Sequence, residues 1–235
     1  MEEYLRTTYG KEFVLTEPSL VGGSWGRPAT TYVSHAYPAD DPEIKFDISW
    51  DTKERTYIDT YLAAKWSTEG KKVMEQKLRE VYGEGNFFIR KYFSGLNDVK
   101  DQKFTWTDVM KNRSERNSID FNYFIFFDGA LDRKKEAQRA YKLLKENFID
   151  YKVMRYNFTV FFIYSNKKKE CLDIWTDKER SRHETDITMH KAGILKDWIR
   201  VNYSKVLSEK HSHNILNLEV KSAEDLFNTR FQIKE

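Results

Sequence analysis

The segment Asp47-Ile48-Ser49-Trp50-Asp51-Thr52-Lys53-Glu54-Arg55 returns about 125 residues later as Asp173-Ile174-Trp175-Thr176-Asp177-Lys178-Glu179-Arg180, with one residue dropped, and a spaced self-match of this kind is the signature of a backbone plan used twice. Each copy reads as the end of a strand just before a long helix. The Ile and Trp anchor the strand end in a core, and Asp51 or Asp177 stands where it can cap the helix and complement its dipole. The order of elements around the two copies agrees: a helix, then strands, then a helix, then a strand. The expected fold is therefore α+β, two related units of order helix–strands–helix–strand, each an antiparallel sheet packed on helices. Residues 1–110 form the first unit, the polar run 111–118 the linker, and residues 119–235 the second unit.

The local patterns fill in this plan. Residues 2–9 read as a helix stopped by Gly10, and Phe13-Val14-Leu15 as a short strand. Residues 16–29, with Pro18, Gly22, Gly23, Gly26 and Pro28, read as a loop. Residues 30–37 and 43–50 form a hairpin around the Pro38–Pro42 turn. A helix is expected over 54–82, with a break near Ser67–Gly70, and strands are expected at Phe87–Phe93 and Phe104–Met110. In the second half, Ile119–Phe127 is a dense apolar strand, and Asp132 caps a helix carrying Ala137, Ala140, Tyr141, Leu144 and Phe148 on one stripe. Tyr151–Ser165 reads as a strand, Lys167–Lys169 as a hairpin turn, 170–176 as a strand and 186–208 as a helix. Leu216–Val220 reads as a strand, Ser222 and Asp225 as a capping box, and Phe231–Ile233 as a last strand.

Composition narrows the function classes. The chain of 235 residues carries 40 basic and 37 acidic side chains, a net charge of +3, which gives no concentrated cationic surface for nucleic acid. Aromatic residues make up 15%, enough for two modest cores. Cys171 is alone, so it forms neither an internal disulfide nor a cysteine-based zinc cluster, and its apolar neighbours make it a buried small hydrophobe. No run of about 18 apolar residues occurs, so no transmembrane segment is expected.

Candidate chemistry is sparse. No nucleophile elbow and no phosphate-cradling loop is present, no catalytic residue stands out, and no cofactor is called for. Gly22, Gly23, Trp25 and Gly26 form a glycine-rich loop with an aromatic that can anchor a partner at low entropic cost. His183, Glu184, Asp186 and His190 offer ligand types for a metal, although His183 and His190 are seven apart, about two helical turns, which is long for one ion to bridge.

Residues 3–93 resemble small extracytoplasmic lipoproteins of Gram-positive bacteria. The resemblance rests on a helix ending in Tyr-Gly-Lys-Glu-Phe (Tyr9 to Phe13), a Pro-rich turn before a Phe-containing strand (Pro38 to Phe46) and an Asp-x-Tyr-Leu helix (Asp59 to Leu62). It implies an extracytoplasmic location, with a membrane anchor attached through a leader that this sequence does not show. The expected function is a non-enzymatic binding or protein-interaction protein associated with the cell envelope, whose partner is another protein or an envelope ligand. The alternatives are a metal-dependent hydrolase using His183, Glu184, Asp186 and His190, and a cytosolic immunity or regulatory protein.

Overall fold

A computed structural model describes residues 1–23, 30–94, 101–112, 119–151, 155–176, 188–204 and 220–228. The fold is α+β, with two sheets in two compact units. The first unit is Met1–Gly70 with Gly95–Arg113, and the second is Lys71–Ser94 with Ser114–Glu235. The chain is thus not divided by one cut at 111–118. Strand pairing places Phe87–Ser94 beside Ile119–Phe127 in the second unit, while Val109 belongs to the first unit's core.

In the first unit, helix α1 (Glu2–Tyr9) ends on Gly10, whose φ of 66° is the left-handed cap that glycine adopts without a Cβ penalty. Strands β1 (Phe13–Leu15) and β2 (Ser19–Val21) pair with opposite ends of β3 (Thr31–Pro38), so the segment expected as a loop contains a short edge strand. Strand β4 (Phe46–Asp51) completes the expected hairpin with β3. Beyond it the chain makes another hairpin. The Asp51 carboxylate accepts hydrogen bonds from the backbone N–H groups of Lys53 (2.8 Å) and Glu54 (3.0 Å), and Arg55 takes a φ of 51°. Strand β5 (Thr56–Asp59) follows, so Asp51 organises a turn rather than capping a helix, and residues 56–59 are extended.

Helix α2 (Tyr61–Tyr82) then runs without a break through Ser67–Gly70. Helix α3 (Trp106–Asn112) replaces the strand expected at 104–110. Its start is a capping box: Thr105 Oγ1 donates to Asp108 Oδ2 at 2.6 Å, and Asp108 N donates back to Thr105 Oγ1 at 3.3 Å. Leu5, Phe13, Ile48, Tyr61, Trp66 and Val109 are among the buried residues of this unit's core.

The second unit holds β6 (Phe87–Ser94), β7 (Ile119–Phe127), β8 (Arg155–Tyr164) and β9 (Leu195–Ser204), in that spatial order. Its sheet is mixed rather than antiparallel, because β7 and β8 run parallel across a full nine-residue register. A parallel pair needs a crossover, supplied here by α4 (Arg133–Leu144). Asp132 caps α4, as expected, by accepting from Lys135 N at 3.0 Å.

Sheets covered on both faces read as continuous apolar runs, and β7 and β8 do. Phe121 and Phe158 pack on Phe148, which follows α4. Phe124, Phe161 and Ile163 form the opposite cluster with Cys171, Met189 and Ile194. Residues 168–176 are helix α5 (Lys168–Thr176) instead of a strand, and of the helix expected over 186–208 the stretch Leu195–Ser204 is strand β9. Helix α6 (Ala223–Asn228) starts on the expected box, with Ser222 Oγ donating to Asp225 Oδ2 at 3.2 Å. Of the strand expected at Leu216–Val220 only Val220 is described, and it is not in a strand; the strand expected at 231–233 lies outside the described residues.

The recurring segment does not recur in structure. Asp47–Asp51 is strand β4, whereas Asp173–Thr176 is the end of helix α5. The two-unit α+β layout stands, but this segment does not relate the units.

Candidate ligand groove

Successive side chains of a strand face opposite sides, so register tells which residues share a face. In the first unit Leu20 lies opposite Tyr32, Tyr32 opposite Trp50, and Trp50 opposite Tyr57. These four residues form one row across β2, β3, β4 and β5. Two residues further along the same face stand Ser34, Ile48 and Asp59, the next row. Ser34 and Ile48 are buried, and Ile48 packs with Leu5 of α1 in the core. The aromatic row is the last on this face, and the core does not close over it: Tyr32 is 38% exposed and Leu20 53%.

The opening is a groove of about 590 Å³, open to solvent rather than enclosed. Its floor is Tyr32, Trp50 and Tyr57. Met1 and Glu2 border it at the start of α1, and Leu15 at the end of β1 borders it with Thr16, Glu17 and Pro18 of the β1–β2 connection. Glu2 and Glu17 are exposed.

Stacking and hydrogen bonding hold the floor. The Tyr57 ring stacks with Tyr4 at a centroid distance of 4.7 Å and lies 4.4 Å from Trp50. Tyr4 Oη donates to Asp59 Oδ2 at 3.0 Å, and Tyr9 Oη donates to Asp59 Oδ1 at 2.8 Å. Burial, reinforced by the neighbouring Asp59 carboxylate, pushes both phenols above their ordinary range, so they serve as neutral donors. Asp59 also accepts from Tyr61 N at 3.0 Å, at the start of α2. One carboxylate thus ties α1 and α2 to the edge strand that carries Tyr57.

The residues singled out in the sequence lie elsewhere. Gly22 and Gly23 end β2 with positive φ and are exposed, and neither lines the groove; Trp25 and Gly26 lie outside the described residues. His183, Glu184 and Asp186 also lie outside them, and His190 sits half-buried in a helical turn at 188–191. Among the described residues no group of three or more His, Cys, Asp or Glu side chains is placed to hold a metal ion. Cys171 lies on α5, fully buried, with its thiol donating to Met189 Sδ at 3.7 Å. Burial pushes that thiol up to about 12, against a smaller opposing effect of Arg90, which leaves little thiolate for nucleophilic attack. The groove was missed because Trp50 read as a core anchor. The available signal was the alignment of Tyr32, Trp50 and Tyr57, which depends on β5 being a strand.

No family model matches the chain, and no curated protein matches it. Among solved structures it is similar to the crystal structure of a DUF5037 family protein from Ruminococcus gnavus ATCC 29149, at 15% identity and a TM-score of 0.46, over 86% of this chain and 89% of that one. A likeness of that degree assigns no residue a role. No helix among the described residues is long and apolar enough to cross a membrane.

Proposed function

We propose that the chain is a non-enzymatic binding protein whose first unit receives its partner on the Tyr32–Trp50–Tyr57 row. One observation carries this reading: three aromatic side chains in direct cross-strand register floor an open groove. Rigid aromatics supply contact area at little cost in side-chain entropy, and such residues dominate binding energy at interfaces. The groove's volume is in the range of about 300–1,000 Å³ usual for ligand sites. An envelope location belongs to the same proposal, and fractionation of cells carrying the native gene tests it separately.

Saturation-transfer NMR with a fragment library tests the binding reading. Aromatic and amphipathic fragments bind wild type and lose their signal with Tyr32→Ser and Trp50→Ala. Tyr32 is exposed enough for its variant to keep the fold. Fragments that bind all three proteins equally overturn the reading.

A further inference from the structure

The groove joins two chemistries, an aromatic floor and two carboxylates in its lining. Glu2, at the start of α1, and Glu17, in the β1–β2 connection, both line it. Both are exposed, and among the described residues neither is paired with a cation. Aromatic faces carry negative potential and attract a cation within about 6 Å of the ring centroid. Carboxylates beside such faces add to that attraction and offer a guanidinium its hydrogen-bond acceptors.

The row also extends past the groove. Leu20, directly opposite Tyr32, is more than half exposed. At strand spacings of roughly 4.8 Å, Leu20 to Tyr57 spans about 14 Å. A small organic cation would cover one ring of this row and leave the rest wet. A peptide segment would cover all of it.

We propose that the groove docks an arginine-bearing segment of a protein partner, the guanidinium lying over the Trp50–Tyr57 floor beside Glu2 and Glu17, with an apolar neighbour on the Leu20 end. This rests on the groove being the binding site. It adds that the recognised group is a cation carried by a peptide.

The test uses two acetylated, amidated tetrapeptides, Gly-Arg-Leu-Gly and Gly-citrulline-Leu-Gly, titrated into the full chain. Citrulline keeps the length and shape of arginine and removes its charge. The readout is the indole N–H cross-peak of Trp50, assigned by its loss in Trp50→Phe. The arginine peptide moves that peak and binds about three- to fivefold tighter than the citrulline peptide, the scale of an exposed cation–π contact. Its advantage shrinks toward unity in a Glu2→Gln, Glu17→Gln double variant, whose changes at exposed positions leave the fold intact. The preference also falls as salt rises.

Equal binding of the two peptides at Trp50 overturns the cation inference and leaves the groove reading standing. Failure of both peptides to move Trp50, while fragments still bind there, does the same. If neither peptides nor fragments reach Trp50, both readings fall. Choline as a third titrant separates the sources: binding as tight as the arginine peptide would replace the peptide partner with a small organic cation.

Discussion

The Tyr9 hydroxyl donates to Asp59 Oδ1 at 2.8 Å, while Tyr4 occupies the other oxygen of the same carboxylate. Replacing Asp59 by Ala strands two partly buried phenols and removes the Tyr61 N–H acceptor. Hydrogen bonds to charged groups are individually worth about 1.5–3 kcal/mol, and partial exposure reduces the sum, so Asp59→Ala is expected to cost about 2–3 kcal/mol. Urea denaturation measures it. Because Tyr4 stacks on Tyr57, the same variant also loosens the groove floor and weakens fragment binding.

The second unit has its own fastening. Arg133 pairs with Asp197, donates to the Trp198 carbonyl at 3.3 Å and donates through Nε to the Phe227 carbonyl at 3.1 Å. One guanidinium therefore joins α4, β9 and α6, with side chains only 14% and 23% exposed in the ion pair. Arg133→Ala leaves Asp197 without that partner in a poorly hydrated place, and a loss of about 2–4 kcal/mol is expected. Arg133→Lys recovers only part of it, since a lysine cannot reproduce the fork. Thermal unfolding of the three proteins gives the comparison.

Stability should fall in alkali. Tyr4, Tyr9, Tyr61, Tyr82 and Tyr123 are all raised above the ordinary 10.0, chiefly by burial, and Cys171 is raised from 9.0 to about 12. In each case the folded chain keeps a proton that the unfolded chain releases. Their contribution is whole below pH 9, declines first as Cys171 enters its window between 9 and about 12, and declines further above 10 as the tyrosines follow. Unfolding free energy measured against pH, with phenolate absorbance followed in parallel, checks this sign. Tyrosine ionisation that precedes unfolding would contradict it.

Cys171 makes a kinetic prediction as well. A thiol fully buried against Met189, with its ionisation suppressed, reacts slowly with an aromatic disulfide reagent at neutral pH and fast in denaturant. Rapid labelling of the native chain would place the thiol in an accessible position and contradict the packing of α5.

Sequence reading succeeded where one local signal decided an element. Gly10 stopped α1, Asp132 capped α4, and the Ser222–Asp225 box opened α6. It failed where the deciding partner lay far along the chain. The Thr105–Asp108 box opens α3 by the same chemistry as the Ser222 box, yet the aromatic residues around it read as a strand. Cys171, Ile174 and Trp175 have helical spacing, but so short an apolar run is ambiguous until the facing sheet is known. In β9, Ile199 and Val201 alternate with exposed Arg200, a strand pattern that the wider spacing of Ile194, Trp198 and Val201 disguised as a helix. The groove was invisible for the same reason, since its floor exists only through the register of three strands. The recurring Asp-Ile-Trp segment was a resemblance of residues between a strand and a helix.

The most direct test of the central claim is the indole region of a ¹H–¹⁵N spectrum, where the chain's 6 tryptophans give separate cross-peaks. Fragments that bind the protein are added, and Trp50 is identified through Trp50→Phe. The Trp50 peak is expected to move in proportion to occupancy while Trp66, buried in the first unit's core, stays in place. Binding fragments that leave Trp50 unmoved and shift Trp175 or Trp198 of the second unit instead would contradict it.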